Sequence, residues 1–283
     1  MGIGTGMDQI ADLFGSRIST GAQDEHALGL ALAEGYNNWL HDYCGRSPRR
    51  LFAAALVPLE AVDLACQEAR RAIEDLGAVG ILSRPLLRNM NLDNPYHYPL
   101  YTLAEELNVP ILVHGSTGIP NVHERYRTHF RRHAVNFPVS LITALMDTIC
   151  GGLLERFSTL RIAFLEGAVG WVPWWLDRLD EHFEKLPSHV PQIREKPGAL
   201  FRRYAQEGRV FLSCESDEAY LPFVIQEAGD DFILYASDYP HWDCIFPDSA
   251  NAIARREDLS EESRRKILGA NARRLLGPRF RPE

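Results

Sequence analysis

The sequence predicts an α/β protein of the (β/α)₈ TIM-barrel class. Three observations carry that prediction. Short β-branched or apolar runs alternate with segments of helical period, the alternation that builds a parallel sheet. The 283 residues suit one barrel of about 250 residues. The apolar runs also end on polar side chains, where a barrel of this kind places its active site. An open sheet would leave two unpaired edges. A doubly wound nucleotide-binding sheet would carry a Gly-rich loop after its first strand; the early glycine cluster, MGIGTG, precedes any strand, so that fold ranks second.

Residues 51–58 (LFAAALVP) read as a strand. A helix follows from near Ala61, with Val62, Ala65, Ala69, Ile73 and Leu76 at spacings of three or four and a stop at Gly77. Residues 77–85 (GAVGILSRP) form the next strand. Leu100, Leu103, Ala104 and Leu107 mark a short helix before the strand VPILVHG, residues 109–115. A long insertion, Ser116 to Pro138, leads into a helix through Phe157. Then come the strand LRIAFLEG (160–167), an amphipathic helix over Val172 to Leu186 and the strand RVFLSCE (209–215). A helical stretch ending at Gly229 precedes FILYASDYPH (232–241), and helices fill 260–276. A weaker strand at 9–17 (QIADLFGSR) precedes a helix over 24–44. The barrel therefore counts one strand short at its N-terminus. Residues 1–283 are read as a single domain, with the insertion over about 116–150 and the closing helices over about 260–277.

Composition narrows the partners. The chain is 46% hydrophobic and 24% charged, which excludes disorder. Its net charge of -8 argues against nucleic acid or an anionic membrane surface. Five cysteines without a CxxC pair suggest neither a disulfide framework nor a thiolate zinc site, and they fit a reducing compartment. The first residues lack a secretory pattern. The apolar stretch Val139 to Leu154, interrupted by Asp147 and Gly151-Gly152, falls short of the roughly 20 residues of a membrane span. A cytoplasmic location is expected.

The residues that finish the strands carry the chemistry. His114 closes ILVH, Glu166 closes IAFLE, Glu215 closes FLSCE, Asp238 closes ILYASD, and Arg84 follows GILS. A histidine and an aspartate aimed from different strands into one mouth are ligand types for Zn²⁺, Mn²⁺ or Fe²⁺. Such a metal polarises a carbonyl or carboxylate, or lowers the pKa of a bound water. Blander roles stand beside these. His114 also fits a hydrogen-bonded core histidine, and Asp238 a cap for the turn before Pro240. Glu166 and Glu215 also fit ion pairs with Arg84 or Arg202. Arg84 suits either a bidentate grip on a substrate carboxylate or a rim salt bridge. His241 is a substrate contact or proton shuttle, or else a surface turn residue. Trp171, Trp174 and Trp175 cluster at a helix start, where they line an aromatic substrate, pack the core or meet a second subunit. The basic run RYRTHFRRH (125–133) reads as a solvated insertion face first and a subunit contact second. HERYRTH fails the HExxH pattern because Arg127 takes the second histidine's place.

Four stretches, ILVHGS, LERFSTLRIAFLEGAVGWVPWWLDRLDEH, YASDYPHWD and NARRLLG, together resemble the amidohydrolase-related family over about residues 28–277. That family includes aminocarboxymuconate-semialdehyde decarboxylase, resorcylate-type decarboxylases and several metal-dependent hydrolases and hydratases. The resemblance implies a (β/α)₈ barrel with one divalent metal, held by an HxH or ExH pair on strand one, a histidine on strand five and an aspartate on strand eight. By position His114 and Asp238 correspond to the last two. No HxH or ExH occurs before residue 50, and the histidine that many members carry at the end of strand six is Glu166 here. The resemblance implies a decarboxylase of a small cyclic or aromatic carboxylic acid. A hydrolase of a lactone, ester or amide comes second, and a metal-free barrel serving as a binding or oligomerisation scaffold is the rival from another class. Under the first reading His114 and Asp238 hold the metal, Zn²⁺ ahead of Mn²⁺ or Fe²⁺. Glu166 or His241 moves the proton, Arg84 and Trp171 meet the small-molecule substrate, and the protein pairs into a homodimer or higher homo-oligomer.

Overall fold

The structure is a computed structural model that describes residues 22–87, 90–115 and 125–281. The chain begins with α1 (Ala22–Cys44) and α2 (Val62–Glu74), then β1 (Ile81–Ser83) and the short antiparallel pair β2 (Leu86–Leu87) and β3 (Met90–Asn91). It continues through α3 (Tyr98–Leu107), β4 (Ile111–His114), α4 (His129–Cys150), α5 (Leu153–Arg156) and β5 (Ile162–Leu165). Next come α6 (Val172–Lys185), α7 (Pro197–Glu207), β6 (Val210–Cys214), α8 (Leu221–Ala228) and β7 (Ile233–Tyr235). α9 (Ser249–Ala254), α10 (Glu261–Arg265) and α11 (Asn271–Leu276) follow, the last two joined by a π-helical turn.

β1, β4, β5, β6 and β7 lie side by side in chain order, every pair parallel, and Ala55 adds a parallel bridge to Ile81 at the outer edge. Six parallel segments in sequence order, with helices between them, form the arc of a (β/α)₈ barrel, as predicted. Alternation along each strand gives the sheet two apolar faces. Leu112, Ala163, Phe211 and Leu234 face inward with Leu275 and Leu276. Ile111, Val113, Ile162, Phe164, Val210 and Leu212 face the helices. Leu112 is in register with Ala163, and His114 with Leu165. The same parity that turns Leu112 inward turns His114 inward one layer higher, at the C-terminal mouth.

Several boundaries move. Residues 51–58 form no full strand but a bridge at Ala55, where the Val79 N–H donates to the Ala53 carbonyl, the Ala55 N–H to that of Gly80 and the Leu82 N–H to that of Ala55. The carboxamide of Asn37 on α1 donates to the Leu56 carbonyl (2.8 Å) and to Glu68 (2.6 Å), and accepts the Leu56 N–H (2.9 Å). Glu68, 1% exposed, is matched by Arg71 at 2.8 Å. α4 starts at His129 and contains Pro138, where the sequence reading placed a loop. Proline in a helix interior forfeits a hydrogen bond, but Thr128 caps the N-terminus and Leu141, Ala144, Leu145 and Ile149 bury the following turns. Those 22 residues are long and apolar enough to cross a membrane by length and composition, which the stretch 139–154 taken alone understated; 44% of the apolar window is buried inside the protein. α7 and α9 had no counterpart in the sequence reading, and the strand expected at 9–17 lies outside the described residues.

Near the end of α4, Asp147 is 7% exposed. It accepts a hydrogen bond from Asn91 Nδ2 (3.3 Å) and one from the Leu92 N–H. Burial, reinforced by the neighbouring Asp93 carboxylate, pushes its carboxyl up to about 7.

Candidate active site

Three strand ends build the site. β4 delivers His114, 9% exposed, whose Nε2 lies 2.8 Å from Glu166 Oε1. Glu166 follows β5 directly, and the chain turns there through left-handed backbone at Glu166 (φ 64°) and Ala168 (φ 56°). The turn is tied on both sides. The Glu166 N–H donates to Ser213 Oγ on β6 at 2.8 Å. The Glu218 carboxylate, beyond β6, accepts the N–H groups of Val169 (2.9 Å) and Gly170. Past β7 the chain turns again at Asp238 (φ 52°), followed by a cis Tyr239–Pro240 bond. The His241 N–H closes this turn on the Asp238 carbonyl at 2.9 Å, and His241 Nδ1 contacts Asp238 Oδ1. One donor atom from each of Glu166, Asp238 and His241 lies within 4.8 Å of the others. Left-handed non-glycine residues cost of order 1–3 kcal/mol each and persist where the surroundings fix them, often at functional sites. Both carboxylates of the triplet are held this way.

The electrostatics favour a cation. Burial raises the Asp238 carboxyl, and Glu166 and Asp243 add to the rise against the opposing hydrogen bond from His241. Burial, with Asp238, Glu218, Asp243 and Glu166 around it, pushes the Glu215 carboxyl up to about 7. Carboxylate oxygens and an imidazole nitrogen converging where negative charge is in excess suit a borderline or hard divalent ion. The donor set therefore fits a metal. Beside it opens a cavity of about 570 Å³, lined by Glu166, Ser213 and Asp238 and by Leu112, Leu165 and Leu234.

The other predicted residues fall as follows. His114 reaches the triplet through Glu166. Arg84, at the end of β1, stands 3.5 Å from Glu60, the rim pair. Arg202 donates to the carbonyls of Gly198 and Glu227, so the expected pairs with Glu166 or Glu215 do not form among the described residues. Trp171 donates its indole N–H to the Gly167 carbonyl at 2.8 Å and packs against the core. Glu218 went unnoticed in the sequence. Its only signal is an acid three residues past the strand-ending Glu215. Glu218→Ala strips the backbone donors of Val169, Gly170 and, more weakly, Glu215 of their acceptor, so a loss of about 2 kcal/mol is expected. Glu218→Gln, which still accepts, should recover most of it; urea titration of both variants decides, and equal midpoints would remove Glu218 from this role.

Residues 6–277 match the family profile described as Amidohydrolase (Amidohydro_2). The chain is 24% identical over 253 residues to 2-amino-3-carboxymuconate-6-semialdehyde decarboxylase from Dictyostelium discoideum, covering 88% of this chain and 67% of that protein. It is 28% identical over 258 residues to gamma-resorcylate decarboxylase from Rhizobium radiobacter, covering 87% and 76%. Among solved structures, 5-carboxyvanillate decarboxylase LigW from Sphingomonas paucimobilis superposes with a TM-score of 0.74 at 19% identity, over 89% and 74% of the two chains. The dihydroxybenzoic acid decarboxylase of Polaromonas sp. JS666, solved with bound manganese and the inhibitor 2-nitroresorcinol, gives 0.70 at 21% identity, over 87% and 75%. A parallel barrel sheet with strand-end donors gathered at its mouth agrees with a profile that spans nearly the whole chain, and the protein belongs to the Amidohydrolase family.

Proposed function

We propose that the protein is a divalent-metal-dependent decarboxylase of an aromatic or cyclic carboxylic acid. The observation that carries this is the convergence of Glu166, Asp238 and His241, with His114 bonded to Glu166, at the mouth of a fold whose named relatives are decarboxylases. Asp238 and His241 would hold the metal, while His114, the ligand the sequence suggests, has its Nε2 on Glu166. The sequence favours Zn²⁺, while manganese in a neighbouring structure and the carboxylate share of the donor set support Mn²⁺ equally. Bound there, a divalent cation would draw electron density from the oxygens of the substrate.

The chain's own groups supply the proton. Decarboxylation breaks the bond between the ring carbon and the carboxylate, leaves the electron pair on the ring, and needs one proton at that carbon. Glu166, hydrogen-bonded to His114 Nε2, is placed to take a proton from the imidazole side and deliver it. Asp238 fixes His241 through Nδ1 and so sets which imidazole nitrogen turns to a ligand. Glu218 and Ser213 hold Glu166 in place.

Metal-loaded protein incubated with 2,6-dihydroxybenzoate and related aromatic acids should release carbon dioxide, and Glu166→Gln should slow release by about 100-fold. Net water addition to lactone or ester substrates, without carbon dioxide from any acid, would replace this reading with the hydrolase.

A further inference from the structure

A closed (β/α)₈ barrel fills its own centre with layers of inward-facing side chains and leaves no pore. Among the described residues the inward layers do not close on one another. The cavity of about 570 Å³ that touches Glu166 and Asp238 continues past Leu165, Leu234 and Leu112 to Leu51 and Phe52. The ladder gives its depth. Ala55 pairs with Ile81, Ile81 with Ile111, and Ile111 with Ile162. Phe52 stands three residues below that line and Glu166 four above it, so the cavity runs along about seven residues of strand, roughly 20 Å. Its other wall is the C-terminal helical segment, with Leu268, Ala272, Leu275 and Leu276.

Polar groups mark the two ends of this passage. Glu166 and Asp238 lie at the mouth, and Tyr43, Arg49 and Arg50 at the far end, which reaches the surface, since Tyr43 is 50% and Leu51 37% exposed. Between them the polar side chains are engaged within the protein. Ser213 Oγ accepts the Glu166 N–H, and the Tyr235 hydroxyl is bonded to Ser249 Oγ at 2.7 Å. An uncovered apolar wall of this extent marks a ligand site in a water-soluble fold. The volume is that of a pocket for a drug-sized molecule and far exceeds what one ring fills. Its occupant is therefore apolar over most of its length and acidic at the end that meets the mouth, where a divalent cation would receive it. We infer that the substrate carries a long apolar tail on the ring that bears the reacting carboxylate, and that Ala272, the small residue among the leucines of α11, leaves room for that tail. This rests on the decarboxylase reading for the reacting end alone.

Calorimetric titration of the metal-loaded full chain with benzoate, 4-butylbenzoate and 4-octylbenzoate tests it. Wild type should take up one ligand per chain, with affinity rising about threefold for each added methylene. Ala272→Trp, which fills the passage from the helical wall, should keep benzoate binding and metal content and lose most of that gain. Leu51→Trp, at the exposed far end, should keep the gain for the butyl compound and cut it for the octyl compound. Equal affinity of wild type for benzoate and 4-octylbenzoate, or an undiminished gain in Leu51→Trp and Ala272→Trp alike, overturns the inference. In metal-free protein the gain with chain length should persist at lower affinity overall. Carbon dioxide release from the aromatic-acid panel reads the decarboxylase proposal separately, so the failure of one is distinguishable from the failure of the other.

Discussion

Asp238→Asn is expected to leave the purified protein with a small fraction of the divalent metal bound by wild type, and to lower carbon dioxide release by about 10³-fold or more. Asparagine keeps the shape and tolerates the left-handed backbone at this position (φ 52°). It removes the charge that balances a cation. The same substitution should raise the melting temperature of metal-free protein, because burial and the Glu166 and Asp243 carboxylates all disfavour a charged Asp238 in the folded chain. Metal analysis and thermal melts on one preparation read both effects. Wild-type metal content in the variant would exclude Asp238 as a ligand. A fall in melting temperature would show instead that the carboxylate is a structural prop of the turn.

Asp147→Asn is expected to stabilise the protein strongly at pH 8 and hardly at all at pH 4. The ordinary aspartate value is 3.8, and in the folded chain burial and Asp93 raise it to about 7. The folded state therefore holds a proton that the unfolded chain has released, so folding takes up a proton between these values and stability falls as pH rises through them. Below pH 4 both states are protonated and nothing is lost. At pH 8 the cost reaches up to about 4 kcal/mol, and a neutral amide avoids it while still accepting from Asn91 and Leu92. Urea unfolding at the two pH values measures it. Equal midpoints for variant and wild type at pH 8 would show that Asp147 ionises freely where it stands.

The barrel was legible because its signal is repeated. Each strand is a short apolar run followed by a helical period, and six such repeats agree with one another even where single boundaries slip. His114, Glu166 and Asp238 were legible for the same reason, as polar residues closing apolar runs. What stayed hidden depended on contacts across elements. Pro138 read as a loop because a proline usually ends a helix, and only the burial of Leu141, Ala144, Leu145 and Ile149 against the sheet keeps α4 continuous there. With α4 misread, nothing placed His133 or Phe137 near His114. Glu218 shares no periodic pattern with the turn it holds, and its partners Val169 and Gly170 lie on a different strand–helix unit. Arg84 was legible as a strand-end residue, and its guanidinium meets Glu60, the rim salt bridge that stood beside the substrate role.

The Asn37 carboxamide has the same donor and acceptor as a peptide group, and it presents both to Leu56 as an adjoining strand would. A foreign β-strand seeking to add to the sheet at that point must first evict an amide already bonded to both groups and tethered to Glu68. Among the described residues, this side chain thus guards the rim against unwanted polymerisation, so a chain lacking it should aggregate more readily.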